Sequence, residues 1–299
     1  MIEVANVSKS FANLEALQEV TLSVNKGSIY GLVGSNGAGK TTLLKLLAGI
    51  YRPDTGNIRI DSSPVFENIL IKSRTVFIPD YLYFFNNYNI QDMARFYSRI
   101  YSQWSWDRFM KLQEIFNIEL KRRIKTLSKG MQRQVAFWLA FAMRPEVMIL
   151  DEPLDGLDPV MRQKVKNLIV QDVAARAMTV IISSHNLREL EDICDFIGIL
   201  HQGQMLIQRE LDDLKADVHK IQIAFSGDIP TSLYEDMQPL YQEQRGSVHI
   251  LIMRGNYEDI TTQLQTYHPA ILDILPLTLE EIFIYEMGDN GYEIQKIIY

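Results

Sequence analysis

Long apolar runs are missing from this 299-residue sequence. The best stretch, "VAFWLAFAM" at Val135–Met143, ends at Arg144, well short of the roughly 20 residues that cross a bilayer. The opening "MIEVANVSKS" shows no basic flank followed by an apolar run, so no secretory signal is read there. Cysteine is nearly absent. Cys194 alone cannot close an internal disulfide, which points to a reducing compartment, and it reads as a small buried hydrophobe on a helix. A basic excess is also lacking: 30 Lys and Arg against 37 Asp and Glu give a net charge of −7, which argues against a broad nucleic-acid surface. His201, His219, His249 and His268 show no metal-ligand spacing, and no low-complexity tract or internal repeat is present. What is there, 47% hydrophobic and 22% charged residues, suits a globular chain with one large domain and a smaller one.

The pattern along the chain is α/β. "IEVANV" and "VTLSV" alternate as antiparallel strands. "SIYGLVG" reads as a buried strand entering a Gly-rich turn and the helix "KTTLLKLLAGI", and "RPDTG" turns into the strand "NIRID". After the strand "RTVFIP", residues 89–143 read as mostly helical. Alternation then resumes with strand "VMILDE", helix "PVMRQKVKNLIVQDVAA", strand "MTVIISS" and helix "LRELEDIC", the order of a mainly parallel sheet. Strands "FIGILHQ" and "QMLIQ" close this unit, assigned to residues 1–216. Residues 217–299 read as a small accessory α/β domain, with strands "KIQIAF" and "SVHILI" and helices near Tyr257–Gln265 and Leu279–Met287.

Two stretches carry chemistry on their own. "GSNGAGKT", Gly34–Thr41, matches G-x-x-x-x-G-K-[ST] between a strand and a helix, the context of a phosphate-binding loop. Its glycines let backbone N–H groups turn toward phosphates, and the helix that follows presents its positive end. Lys40 can reach the β- and γ-phosphates, and Thr41 can ligate Mg²⁺. "VMILDEP" ends a buried strand with Asp151, suited to Mg²⁺ directly or through water, and Glu152, suited to polarising an attacking water. His185 leaves another strand at the same edge and can donate to a γ-phosphate. By contrast "LSKGMQRQ", Leu127–Gln134, looks like a poorly started helix: Ser128 is placed to cap it, no Glu or Gln completes a capping box, and Gly130 weakens its first turn.

These pieces, in this order, resemble the ATPase subunit of an ABC transporter over roughly residues 2–215. Phe11 in "KSFANLEAL" matches the family's adenine-stacking aromatic. The Walker A loop is represented by Gly34, Ser35, Asn36, Gly37, Ala38, Gly39, Lys40, Thr41 and Thr42, and Walker B by "VMILDEP". "LDGLDP" matches the D-loop with Asp158, "SSHNL" the switch histidine, and "LSKGMQRQ" the signature helix. The resemblance implies a P-loop NTPase core with N-terminal antiparallel strands, residues 89–143 as the helical signature subdomain, and ATP with Mg²⁺ as cofactors. It implies a head-to-tail homodimer or heterodimer in which Ser128 and Gly130 of one ABC subunit cap the γ-phosphate held by the other. It also implies an integral membrane permease as partner, holding the chain at the inner face of the cell membrane, and no nucleic acid. The Leu-Ser-Lys-Gly-Met signature is similar to that of a bacterial subgroup found beside exporter-like permeases.

The sequence departs from the family pattern at two places. Lys129 and Met131 replace Gly and Gln of the usual signature, and Asp80 stands where Gln normally touches Mg²⁺ and the attacking water. Asp80 is a hard oxygen donor suited to Mg²⁺, yet its charge would repel a nearby γ-phosphate, so weaker or more Mg²⁺-dependent hydrolysis is expected. The aromatic runs "YLYFFNNYNI" and "WSWDRF" are read as a mixture of subdomain core and permease-docking surface. A regulatory nucleotide-binding module without turnover fits less well, because Glu152 and His185 are both intact, and so does a soluble ABC ATPase acting on nucleic acid or ribosomes. The 85 residues from Thr42 to Thr126 leave no room for a long coiled coil, and the chain holds one cassette.

Overall fold

The computed structural model describes residues 1–227, 229–230 and 232–289, the side chains of 286–289 excepted. It divides into two compact units, Met1–Gln208 and Arg209–Tyr299. The last ten residues of the accessory domain lie outside the described residues.

In the first unit, β1 (Ile2–Phe11) and β2 (Leu14–Val24) pair antiparallel. β3 (Ile29–Val33) leads to α1 (Lys40–Leu47), and β4 (Thr55–Ile60) with β5 (Ser63–Pro64) completes a four-stranded sheet on β1. After α2 (Ile69–Lys72) and β6 (Thr75–Ile78) come the helices α3 (Ile90–Ile100), α4 (Trp106–Phe116) and α5 (Lys129–Met143). β7 (Val147–Asp151), α6 (Pro159–Arg176), β8 (Thr179–Ser183), α7 (Leu187–Glu191), β9 (Phe196–His201) and β10 (Gln204–Glu210) follow.

The central sheet runs β10-β9-β3-β8-β7-β6, and β6, β7, β8, β3 and β9 are mutually parallel. Every residue of β3, β7 and β8 is buried, as expected of strands covered on both faces. Parallel register decides where the chemistry goes. Ile78 lies opposite Leu150, Asp151 opposite Ser183, and Leu32 also opposite Ser183. The segments that follow β6, β3, β7 and β8 therefore leave the sheet at one edge, its carboxyl end.

The helical segment earns its stability from aromatics on α5. Phe137, Trp138 and Phe141 are fully buried, each worth about 1.5–3 kcal/mol of burial. Trp138 stacks on Phe109 with centroids 4.8 Å apart and donates its indole N–H to the Phe109 carbonyl at 2.7 Å. The two aromatic runs do split: Phe84 and Phe109 are buried, whereas Tyr81 and Tyr83 are exposed. None of the described helices is long and apolar enough to cross a membrane.

The second unit begins earlier than residue 217. α8 (Leu211–Asp217) buries Leu211 and Leu214 and packs on β11 (Val218–Ala224) and on the last helix, so its apolar face belongs there. α9 (Ser232–Met237), β12 (Tyr241–Arg245), β13 (Val248–Arg254), α10 (Tyr257–Gln265), β14 (Ile271–Leu275) and α11 (Leu279–Asp289) follow. The strand order β12-β13-β11-β14, all pairs antiparallel, makes β11 to β14 a ferredoxin-like βαββαβ unit. It is thus an antiparallel α+β domain rather than the expected α/β one. Its core joins Ile221, Ile223, Leu251 and Met253 of the sheet to Leu233 of α9 and Leu264 of α10.

Candidate active site

The loop between β3 and α1 is shaped by two glycines. A Cβ on Gly34 would lie 2.2 Å from the Leu200 carbonyl oxygen, so the backbones meet only without a side chain. Gly39 has φ +105°, and a Cβ there would also strike the Ala16 carbonyl at 2.6 Å. α1 then starts without a side-chain cap, whereas Asn89, Ser105, Ser128 and Asp158 cap α3, α4, α5 and α6. The first amides of α1 are left for an anion.

Lys40 is buried, and its Nζ donates to the carbonyls of Gly34 at 2.6 Å and Ser35 at 3.3 Å. It stands 3.8 Å from Glu152 Oε1. Burial pulls the ammonium below the ordinary lysine range, and the Glu152 and Asp151 carboxylates oppose that shift. Thr41 Oγ1 donates to Asp151 Oδ2 at 2.8 Å, and Ser183 Oγ donates to Asp151 Oδ1 at 2.8 Å.

Glu152 is fixed from several sides. Its N–H donates to Ser183 Oγ at 3.1 Å, and its Oε2 accepts from the His185 backbone N–H at 3.1 Å and lies 2.9 Å from His185 Nδ1. Its carbonyl accepts from Arg133 Nη1 at 2.9 Å. Glu152 adopts φ +44°, an uncommon conformation for a residue with a side chain.

Ser35 through Thr42, Asp80 and Glu152 line one cleft of about 620 Å³. Asp151 and His185 join it through the hydrogen bonds above. The site is therefore a continuous polar set: a cation and N–H groups facing two carboxylates, with hard oxygen donors at Thr41 and Asp151. Asp80 is 63% exposed and ion-pairs with Arg133 Nη2 at 3.2 Å, so its carboxylate is engaged by a guanidinium.

Besides Gly34, Asp151 and His185, four expected residues lie outside the lining of this cleft. Phe11, at the end of β1, sets its ring edge-on to Tyr51 at 5.3 Å with Lys9 Nζ above it. Ser128 caps α5, its Oγ accepting from the Met131 N–H at 3.2 Å. Asp158 caps α6, accepting from the Met161 N–H at 2.9 Å. Gly130 abuts the D-loop: a Cβ would lie 2.5 Å from the Gly156 carbonyl oxygen. Sequence reasoning passed over Ser183, although a serine ending the apolar run Val180–Ile182 was a signal, and Arg133, which has no local signal.

The ABC transporter family profile matches residues 17–155. The chain is 33% identical over 288 residues to the ABC transporter ATP-binding protein YtrB of Bacillus subtilis (strain 168), covering 96% of this chain and 98% of that protein. It is 31% identical to the bacitracin transport ATP-binding protein BcrA of Bacillus licheniformis, over 72% of this chain and 71% of that one. A solved ATP-binding subunit of an ABC transporter superposes with TM-score 0.67 and 27% identity, over 72% of this chain and 92% of its own. The dimeric ABC transporter cassette MJ0796 shares the fold at TM-score 0.65 and 20% identity, over 71% and 99%. This chain belongs to the ATP-binding, ATP-hydrolysing subunits of ABC transporters.

Proposed function

We propose that this subunit powers export through a separate membrane permease, working as a head-to-tail pair with a second copy or a related subunit. One observation carries the site assignment: the phosphate loop, Asp151, Glu152 and His185 converge at one sheet edge and are joined by hydrogen bonds. A transport role is supported by the bacitracin and lantibiotic transport ATP-binding proteins among the relatives.

In this reading the amides from Gly37 to Thr42 and the Lys40 ammonium hold the β- and γ-phosphates. Mg²⁺ would be held by Thr41 and Asp151, whose hydroxyl and carboxylate oxygens suit a hard cation, and would supply charge neutralisation to the phosphate oxygens. Glu152 accepts a proton from the water aimed at the γ-phosphate. His185 orients that carboxylate through Oε2 and reports on the phosphate. The exposed Ser128 and the half-buried Gly130, at the start of α5, meet the nucleotide of the opposite subunit, and Phe11 stacks on adenine when nucleotide is present. The exposed Tyr81 and Tyr83, beside Asp80, form part of the permease-facing surface.

Glu152→Gln keeps the shape of the side chain and removes its basicity. The full chain carrying it should bind ATP, stop hydrolysing it, and accumulate as an ATP-bound dimer on size-exclusion chromatography. Turnover at the wild-type rate would remove Glu152 from the role of base.

A further inference from the structure

We infer that Arg133 is a positioning residue of the nucleotide site: its buried guanidinium ties Asp80 to Glu152 and neutralises the Asp80 carboxylate. The inference rests on the roles proposed above for those two acids. Arg133 lies on α5, five residues after Ser128, and is only 8% exposed. Nη1 donates to the Glu152 carbonyl at 2.9 Å, while Nη2 donates to the Asp80 carbonyl at 2.8 Å and to Asp80 Oδ1 at 3.2 Å. A buried guanidinium needs such partners, and its rigid fork fixes the spacing of the groups it bridges.

Two features of the site depend on that fork. Glu152 holds a left-handed backbone conformation at φ +44°, which persists only where the surroundings over-determine it. Ser183 restrains its N–H, His185 restrains its carboxylate, and Arg133 restrains its carbonyl. Asp80, for its part, brings a negative charge to a cleft built for phosphates. The Arg133 charge stands directly against it, so this chain carries an acid at the position of the family's glutamine together with its own counter-charge. The segment after β6, the end of β7 and the signature helix are thereby joined through one side chain.

The two consequences differ in size and are separable. Asp80 is mostly exposed, so the ion pair acts through a screened charge and is worth only a few-fold in affinity. The bond from a buried guanidinium to the Glu152 carbonyl is stronger and acts on the geometry of the proposed base. We would measure Kd for MgATP, using a fluorescent ATP analogue, and kcat at saturating MgATP on the full chain. The variants are Arg133→Gln, Asp80→Gln, the double variant and Arg133→Lys, with Tm recorded for each.

Arg133→Gln should weaken MgATP binding about threefold and lower kcat about tenfold. In the Asp80→Gln background the same substitution should leave Kd unchanged while kcat still falls. Arg133→Lys keeps the charge and loses the fork, so Kd should stay near wild type and kcat should drop. A Kd change of equal size in both Asp80 backgrounds would overturn the inference, and so would an unchanged kcat in folded Arg133→Gln. If Arg133→Gln fails to fold, Arg133→Lys decides: wild-type kcat refutes the clamp. Lys40→Ala, measured alongside, should abolish binding. Retained binding there would sink the phosphate-site reading itself rather than the Arg133 contact.

Discussion

Ser183→Ala removes a single oxygen from a side chain with no exposed surface. That oxygen donates to Asp151 Oδ1 at 2.8 Å and accepts the Glu152 N–H at 3.1 Å. Its loss leaves the Glu152 amide at the end of a fully buried strand with no partner, and takes one donor from a carboxylate that is 2% exposed. A buried donor left unsatisfied costs about 1–3 kcal/mol, while the volume change is negligible. For a unit of this size, Met1–Gln208, each kcal/mol moves Tm by roughly 2–4 °C. The expected drop is therefore about 2–12 °C in thermal unfolding of the nucleotide-free chain. Because Asp151 is a proposed Mg²⁺ ligand, the Mg²⁺ concentration for half-maximal ATP turnover should also rise. An unchanged Tm together with an unchanged Mg²⁺ dependence would refute the argument that this hydroxyl organises both acids.

Gly130→Ala would normally favour a helix, by up to about 1 kcal/mol at an interior position. Here the added Cβ meets the Gly156 carbonyl at 2.5 Å, and overpacking of about 1–3 kcal/mol should win, lowering Tm even without nucleotide; a rise would show that the D-loop yields freely. Ser128→Arg should leave the affinity of the phosphate loop for ATP within about twofold, a surface change of under about 0.5 kcal/mol, yet abolish ATP-driven dimers in analytical ultracentrifugation; persisting dimers would make α5 ordinary structure. In the second unit, Glu281 receives Lys220 Nζ at 2.6 Å and the Thr278 N–H at 3.0 Å. Burial raises its pKa, but these partners outweigh burial and bring it below the usual 4.5. The stability this gives is full above the unfolded carboxyl value and is lost as pH falls through the lower folded one. Glu281→Gln should thus weaken hydrogen-exchange protection of α11 at pH 7 and converge with wild type at the acid end; an equal deficit at every pH would exclude the linkage.

Much of the first unit was legible because its signals are local. Strand runs such as Val180–Ile182 and Val147–Leu150 are apolar throughout, which suits strands covered on both faces, and Gly34 and Gly39 of "GSNGAGKT" mark positions where no side chain fits. The antiparallel second unit was read less completely. Its edge strand β12, "YQEQR", is polar and carries no buried run, and β14 is only five residues long and partly exposed. With both edges unread, the βαββαβ order and the ownership of α8 were out of reach, since each depends on pairings distant in sequence.

The residue types and their spacing alone determined the phosphate loop, the two acids at a strand end, the histidine after a strand, and the exposed serine at the start of α5. Each is set by neighbours within a few residues. Only the tertiary structure decided which of them meet. Parallel register brings Thr41, Asp151 and Ser183 into one chain of hydrogen bonds, though they lie up to 142 positions apart. The packing of α5 beside β6 likewise sets Asp80 against Arg133. A charge's environment is made by whatever packs against it, and Arg133, 53 residues away from Asp80, has no local pattern that announces it.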